Sequence, residues 1–322
     1  MEKFASKKKF KKKCFKKFWT LHKKISGHKE TVSTIDFDSK NNTFLTGSKN
    51  GLIYIWKMST SKNISILKGH NGAINCSTMN KKNSFLFTGG QDQLVRCWDV
   101  EYNKNLRNFH GHYNSITDLV FHPILNIFFS SSEDHTIRLW DLRTHKAIRI
   151  LNFHSRSVTA MISNGESPHL ISGGLDNNIF LWDFVGGKPL ACLRINDEGI
   201  NQFSNCSSDF FFSILTTHSI TFLRKDGLFL KKFKSQLQMK SHSSFRRNNE
   251  FVIGSQCGHV STFKLDHRNA NLNFVQNSNL HFDNAKSAIS IVAFDKSGDN
   301  IYVGRESADL MIFKKKWMIS EI

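Results

Sequence analysis

The tryptophans of this chain keep step. Trp56, Trp98, Trp140 and Trp182 follow one another at 42 residues, and His28, His70, His112 and His154 repeat the same interval. Each histidine precedes its tryptophan by 28 residues. A period of this length marks an array of small supersecondary units, none of which can bury its apolar face alone. Within each period, TGSKNGLIYIW (46–56), TGGQDQLVRCW (88–98), SSSEDHTIRLW (130–140) and SGGLDNNIFLW (172–182) align without a gap. Each reads as the end of a strand, a tight turn carrying Asn or Asp, and an alternating strand. Small residues before such a turn suit a hairpin connection. About four short strands fit each period, which makes one blade of a β-propeller.

Three later periods are worn. SILTTHSITFL (213–223) puts Phe222 at the tryptophan position, VIGSQCGHVSTFK (252–264) puts Phe263 there, and VGRESADLMIFK (303–314) supplies Phe313. The last follows a longer insertion around residues 265–290. Four clear and three worn repeats make seven. Residues 18–313 number 296, against 294 for seven units of 42. An open ring would expose two sheet edges that invite aggregation. The segment KFWTLHKKIS (17–26) is therefore expected to close it as the outer strand of the last blade, beside the C-terminal strands. The expectation is all-β: a seven-bladed propeller over 18–313, a lysine-rich disordered tail over 1–17, and a C-terminal tail over 314–322.

The formal net charge is +19. Residues 1–17 hold nine Lys and one Glu, or +8, which leaves +11 on the remainder. Such a balance favours a polyanionic neighbourhood such as RNA, DNA or an acidic protein. The lysine run serves equally as a solvated tail. The six cysteines show no CxxC spacing, which argues against zinc and disulfide frameworks and for a reducing compartment. Lysines stand where a signal peptide needs an apolar stretch, so a soluble intracellular protein is expected.

The Gly-His…Trp-Asp pattern at this period resembles the WD40 repeat. The resemblance implies a hydrogen-bonded tetrad of His, Ser or Thr, Asp and Trp inside each blade. The matching sets are His70, Thr88, Asp92 and Trp98; His112, Ser130, Asp134 and Trp140; and His154, Ser172, Asp176 and Trp182. His28, Thr46, Asn50 and Trp56 form a weakened set with Asn in place of Asp. A buried indole N–H, imidazole and carboxylate each need a partner, and linking them satisfies all three. A catalytic triad is needed once, whereas this set recurs with tryptophan attached, so it reads as a structural clamp. Asp99, Asp141 and Asp183 follow their tryptophans at the strand ends, and Lys57 breaks that pattern. His110 and His112 are two residues apart, with no Cys or carboxylate set to make a metal site. No catalytic or nucleotide-binding motif appears, so no catalytic residue, metal or cofactor is expected.

The stretch GGQDQLVRCWDVEYNKNLRNFHGHYNSITDLVFHP (89–123) resembles the pleiotropic regulator family of spliceosomal WD40 proteins, which belong to or accompany the NineTeen complex. FWTLHKKISGH (18–28), LWDFVGGKP (181–189) and VAFDKSGDNIYVGRESADLMIF (292–313) are similar to it as well. The resemblance implies a nuclear scaffold of pre-mRNA splicing, a monomer within a larger assembly. Its partners would be Myb-domain and SNW-domain splicing factors, near RNA and away from membranes. Family members carry a long N-terminal extension where this chain has about 17 lysine-rich residues, so contacts made by that extension are expected to be missing. Blades five and six lack the tetrad histidine, with Asn196 and Gln236 in its place, and are expected to be looser.

By the repeat alignment, Lys49, Gln91, Glu133 and Leu175 precede the turn Asp or Asn and face one surface, with Lys29, Asn71 and Tyr113 after the Gly-His. Tyr113 is the strongest candidate anchor, being an aromatic among polar residues. Two other classes compete. WDLR (140–143) resembles the WDxR element of cullin-type ubiquitin ligase substrate receptors, which would make Arg143 the adaptor contact. A ribosome-assembly WD40 factor fits the basic tail. A G-protein β-like subunit would need a heptad-patterned helix in residues 1–17, which have none.

Overall fold

The computed structural model describes residues 13–321 apart from 39–42, 81–84, 145, 164–168, 196–197, 206–210, 225–228, 246–248, 267–272 and 281–286. Among these residues run 28 strands, β1 to β28 in chain order, forming seven four-stranded antiparallel sheets. Six sheets are simple meanders: β2–β5 (32–67), β6–β9 (74–109), β10–β13 (116–151), β14–β17 (158–194), β18–β21 (200–234) and β22–β25 (239–280). The seventh joins β26–β28 (289–321) to β1 (Lys13–Ile25) in the order β26-β27-β28-β1. The described residues include no helix long and apolar enough to cross a membrane.

The first strand of each sheet touches the first strands of both neighbours, and β26 returns to β2, so seven blades stand around one axis. Seven apolar wedges hold them, one in each seam. Between blades 2 and 3, for example, Phe87, Val95 and Phe109 meet Ile116, Phe128 and Trp140. Between blades 7 and 1, Tyr302, Leu310 and Ile312 meet Phe44, Tyr54 and Trp56. Each such side chain contributes roughly 1.5–3 kcal/mol on burial. The second strand of a blade is buried on both faces, as in β11 (Ile127–Ser132), and the outer strand is mostly exposed, as in β13 (Ala147–Leu151).

The closure foreseen from KFWTLHKKIS is present. Ile25 pairs with Leu310, Leu21 with Phe313 and Lys13 with Glu321. Both tail boundaries need correction. Strand β1 begins at Lys13 inside the stretch read as tail, and β28 runs through residues 314–321 instead of stopping at Phe313. The two extensions satisfy each other's backbone groups, which is why neither ends where the repeat does. Residues 1–12 lie outside the described residues. The supposed insertion at 265–290 contains β25 (Asn273–Leu280), the outer strand of blade 6.

One worn repeat is also corrected. In blades 1–4 the tryptophan follows a bulge, as at Leu139/Trp140, and packs toward the preceding blade. In blade 5 the bulge falls at Phe222/Leu223, and Leu223 packs toward blade 4 while Phe222 packs toward blade 6. Leu223 therefore holds the tryptophan position, 41 residues after Trp182, one fewer than the regular period because the turn between β19 and β20 is one residue shorter. Phe263 and Phe313 do sit there in blades 6 and 7.

Candidate partner-docking site

The clamps come first, since they fix the loops that form the exposed faces. In blade 3, Trp140 Nε1–H donates to Ser130 Oγ at 2.8 Å, and Ser130 Oγ lies 2.7 Å from His112 Nε2. His112 Nδ1 lies 2.7 Å from Asp134 Oδ2. With the carboxylate ionised, Nδ1–H donates to Asp134, Nε2 accepts from the serine, and the serine oxygen accepts from the indole. The chain is directional and complete. Blade 2 repeats it through Trp98, Thr88, His70 and Asp92 at 2.8, 2.7 and 2.9 Å. Blade 4 repeats it through Trp182, Ser172, His154 and Asp176 at 2.8, 2.8 and 3.0 Å.

Electrostatics follow the geometry. Burial alone would raise the Asp92 carboxyl, but the His70 hydrogen bond and the nearby positive charges pull it down to about 2. Asp134 is held well below the carboxylate range in the same way by His112 and Thr136. Blade 1 differs. His28 Nε2 reaches Thr46 Oγ1 at 2.6 Å and Trp56 donates to the same oxygen at 2.7 Å. Asn50 instead accepts from the Leu52 backbone at 3.1 Å, and His28 Nδ1 is buried without a partner. Burial then lowers the His28 pKa to about 4. All four hydroxyls are inaccessible to solvent. An oxygen enclosed in this way, already engaged by indole and imidazole, has no approach path for a substrate. Among the described residues no group of three His, Cys, Asp or Glu could hold a metal ion.

Blades 5–7 abandon the clamp in a coordinated way. The hydroxyl position becomes Ile214, Ile253 and Val303, while the tryptophan position becomes Leu223, Phe263 and Phe313. Losing donor and acceptor together leaves nothing unpaired, so the exchange is nearly neutral. Asn196 lies outside the described residues, and Gln236 is exposed.

The clamps present one face of the ring. In blades 1–4 the residue before the turn Asp or Asn bonds back to the preceding loop: Lys49 N–H to Thr31 O, Gln91 to Ala73, Glu133 to Ser115 and Leu175 to Ser157. Lys29, Lys49, Asn71, Gln91, Tyr113, Glu133 and Leu175 are all exposed. Among the described residues Tyr113 is the most open large apolar one, 81% exposed, yet it is held in place. Its N–H donates to Asp134 at 3.0 Å and its ring lies 5.7 Å from the Arg138 guanidinium. The same backbone bond recurs at Gln256 and Glu306, which places worn repeats on this face too. Phe153 was also missed. It replaces the glycine of Gly-His and stands edge-on to Trp182 at 5.9 Å while 55% exposed. In blades 1 and 2 a Cβ there would meet the indole at 2.9 Å, so glycine is required.

Arg143 occupies the opposite side, in the loop after the tryptophan strand. Its guanidinium grips Asp141, with Nη2 2.8 Å from Oδ2, and remains 82% exposed. The short links across seams were invisible in the repeat. Thr117 and Ser290 donate to Val158 O and Val32 O, each in the next blade, at 2.5 and 2.6 Å. Ser33 and Thr159 do the same to Ile74 O and Ile200 O.

Four segments, residues 19–57, 61–99, 103–141 and 145–183, match the WD domain, G-beta repeat family. The chain is a seven-bladed WD40 β-propeller. Each match begins in or just before the outer strand of one blade and ends after the tryptophan of the next, so the WD40 repeat is offset by one strand from the blade. That offset is what puts β1 into blade 7. No curated protein matches the chain in sequence. A WD40 propeller of this form serves as a platform for protein–protein interaction.

Proposed function

We propose that this WD40 propeller is a non-enzymatic scaffold of the spliceosome, working in the nucleus and docking several splicing factors near the RNA core. Tyr113 carries the reading. It lies inside the segment 89–123 that resembles the pleiotropic regulator family, and it is an exposed aromatic pre-positioned by Asp134 and Arg138. A rigid aromatic anchor costs little ordering entropy when a partner covers it. The net charge of +19 suits a place beside RNA, where each phosphate contact adds salt-dependent affinity. Myb-domain and SNW-domain proteins of the NineTeen complex are the partners this reading names. Sequencing the RNA that co-purifies with the protein tests it. Spliceosomal small nuclear RNAs are the expected result, and pre-ribosomal RNA would move the protein to ribosome assembly.

A second reading, substrate receptor of a cullin-type ubiquitin ligase, draws on the exposed Arg143 within WDLR. Arg143→Ala would then abolish co-purification of the ligase adaptor. Under the splicing reading the same variant keeps its small nuclear RNAs.

A further inference from the structure

The seam between blades 5 and 6 holds a cavity of about 210 Å³, bordered by Ile220, Phe233, Met239, Ile253, Ser261 and Phe263. The repeat explains why it is there. In blades 1–4 the corresponding space holds an imidazole, an indole, and a bulky third side chain: Tyr54, Arg96, Arg138 or Phe180. Tyr54 and Phe180 pack on their histidine rings at 4.2 and 4.7 Å. In blade 6 the third position is Ser261, the indole has become the smaller ring of Phe263, and the connecting loop is one residue shorter. That loop carries Ser235 and Leu237 past the place where the imidazole would stand. Three reductions coincide, and the neighbouring blade does not collapse to fill them.

We propose that this cavity is a docking pocket for one aromatic side chain presented by an acidic peptide segment of a partner protein. The space is ample: an apolar cavity of about 150 Å³ already takes up benzene. The walls select against polar occupants. Ile220, Phe233, Met239, Ile253 and Phe263 form an apolar wall, against which a nucleobase, with several ring nitrogens and carbonyls, buries more polar atoms than an aromatic side chain does. Ser255 Oγ is engaged already, donating to His259 O and accepting from His259 N, each at 3.0 Å. The mouth supplies the preference for acid. Lys234 is exposed there, beside exposed His259, and Lys234 also borders the adjoining depression with Lys232. The single carboxylate of that depression, Glu198, faces His218 at 2.9 Å. The pocket holds whether or not the larger assembly is the spliceosome.

Fluorescein-labelled peptides of sequence Asp-Glu-Trp-Asp-Glu and Asp-Glu-Ala-Asp-Glu test it by anisotropy against the full chain. The tryptophan peptide is expected to bind at least about tenfold more tightly, as for a buried aromatic anchor. Ser261→Phe, which supplies the bulk of Phe180, should remove that advantage. Lys234→Glu should weaken the acidic peptide and favour one flanked by lysines. Equal binding of the two peptides overturns the proposal, as does a tryptophan advantage that survives in folded Ser261→Phe protein. A single-stranded RNA oligonucleotide that binds wild type and is lost in Ser261→Phe would make the pocket a base site and overturn it too. Should Ser261→Phe not fold, methionine methyl labelling of wild type decides. The Met239 methyl resonance must shift with the tryptophan peptide and stay still with the alanine one, and the converse overturns the claim.

Discussion

The Ser290 hydroxyl donates to the carbonyl of Val32 at 2.6 Å, across 258 residues of chain. This bond joins the first strand of blade 7 to the first strand of blade 1, and Ser33, Thr117 and Thr159 make the same contact further round the ring. Ser290→Ala leaves the Val32 carbonyl short of its donor. The expected loss is about 1 kcal/mol, the net worth of one neutral hydrogen bond. Urea unfolding reads it as a lower midpoint with an unchanged slope.

Asn50→Asp should complete the fourth clamp. Asp in the equivalent place accepts from the histidine in blades 2–4, whereas His28 Nδ1 is now buried and unpartnered. A charge-assisted bond there is worth roughly 1.5–3 kcal/mol, and desolvation of the new carboxylate offsets part of that. A net gain of about 1 kcal/mol is expected. It should vanish when His28 is also replaced by Ala, so the double-mutant cycle decides the mechanism.

Acid should loosen the ring through its histidines. Burial lowers His28 to about 4 and His242 to about 3, and lowers His154 as well. The unfolded chain then binds more protons than the folded one between these values and 6.5, so stability rises with pH across that window. It is present in full above 6.5 and lost as pH falls toward 4. For His28 alone the gap corresponds to roughly 3 kcal/mol. Asp118 opposes this trend, because burial raises its carboxyl to about 7 and favours its protonated form in the fold. Asp92, lowered to about 2, adds a further loss below pH 4. Melting temperatures from pH 7 to pH 4 should fall, and fall less in a His28→Phe variant.

Six equivalent turns place a residue in the left-handed region: Gly51, Gln93, His135, Asn177, Gly258 and Ala308, with φ from 63° to 83°. A side chain there costs roughly 1–2 kcal/mol. Ala308→Gly, which loses almost no packing, should stabilise blade 7 by a few tenths to about 1 kcal/mol after the entropy of the freer unfolded chain. A drop in melting temperature would contradict this.

Tyr113→Ala should leave the melting temperature within error, since the ring is exposed and its backbone bond to Asp134 survives. Capture of protein partners should fall about tenfold or more if Tyr113 is an anchor. Phe153→Gly restores the residue of the other blades and separates the contribution of the second exposed aromatic.

The regular half of the ring was open to reading because period and identity coincide. A residue 42 places on must meet the same indole, so Thr88, Ser130 and Ser172 could be aligned by counting. Counting failed where loop length changed. One residue lost between β19 and β20 puts the tryptophan position 41 residues after Trp182, at Leu223, and the bulge in the strand pairing distinguishes it from Phe222. The ends failed for a different reason. Residues 13–17 and 314–321 have no repeat partner in sequence, and their structure comes from pairing with each other across the whole chain. Seam contacts such as Ser290 to Val32 depend on inter-blade distance, which no repeat encodes. Phe153 was readable in principle as the break in an otherwise regular Gly-His.

Pairing of Ile25 with Leu310 also sets a schedule. The partners are 310 − 25 = 285 residues apart, so at 5–20 residues per second the ribosome needs roughly 15–60 s to supply the second after the first. Throughout that interval the β1 segment has no β28 to pair with. Its sequence KCFKKFWTLHKKI carries five lysines, and like charges on a naked edge repel a second nascent chain. The lysines of this strand are expected to discourage edge-to-edge pairing until β28 arrives.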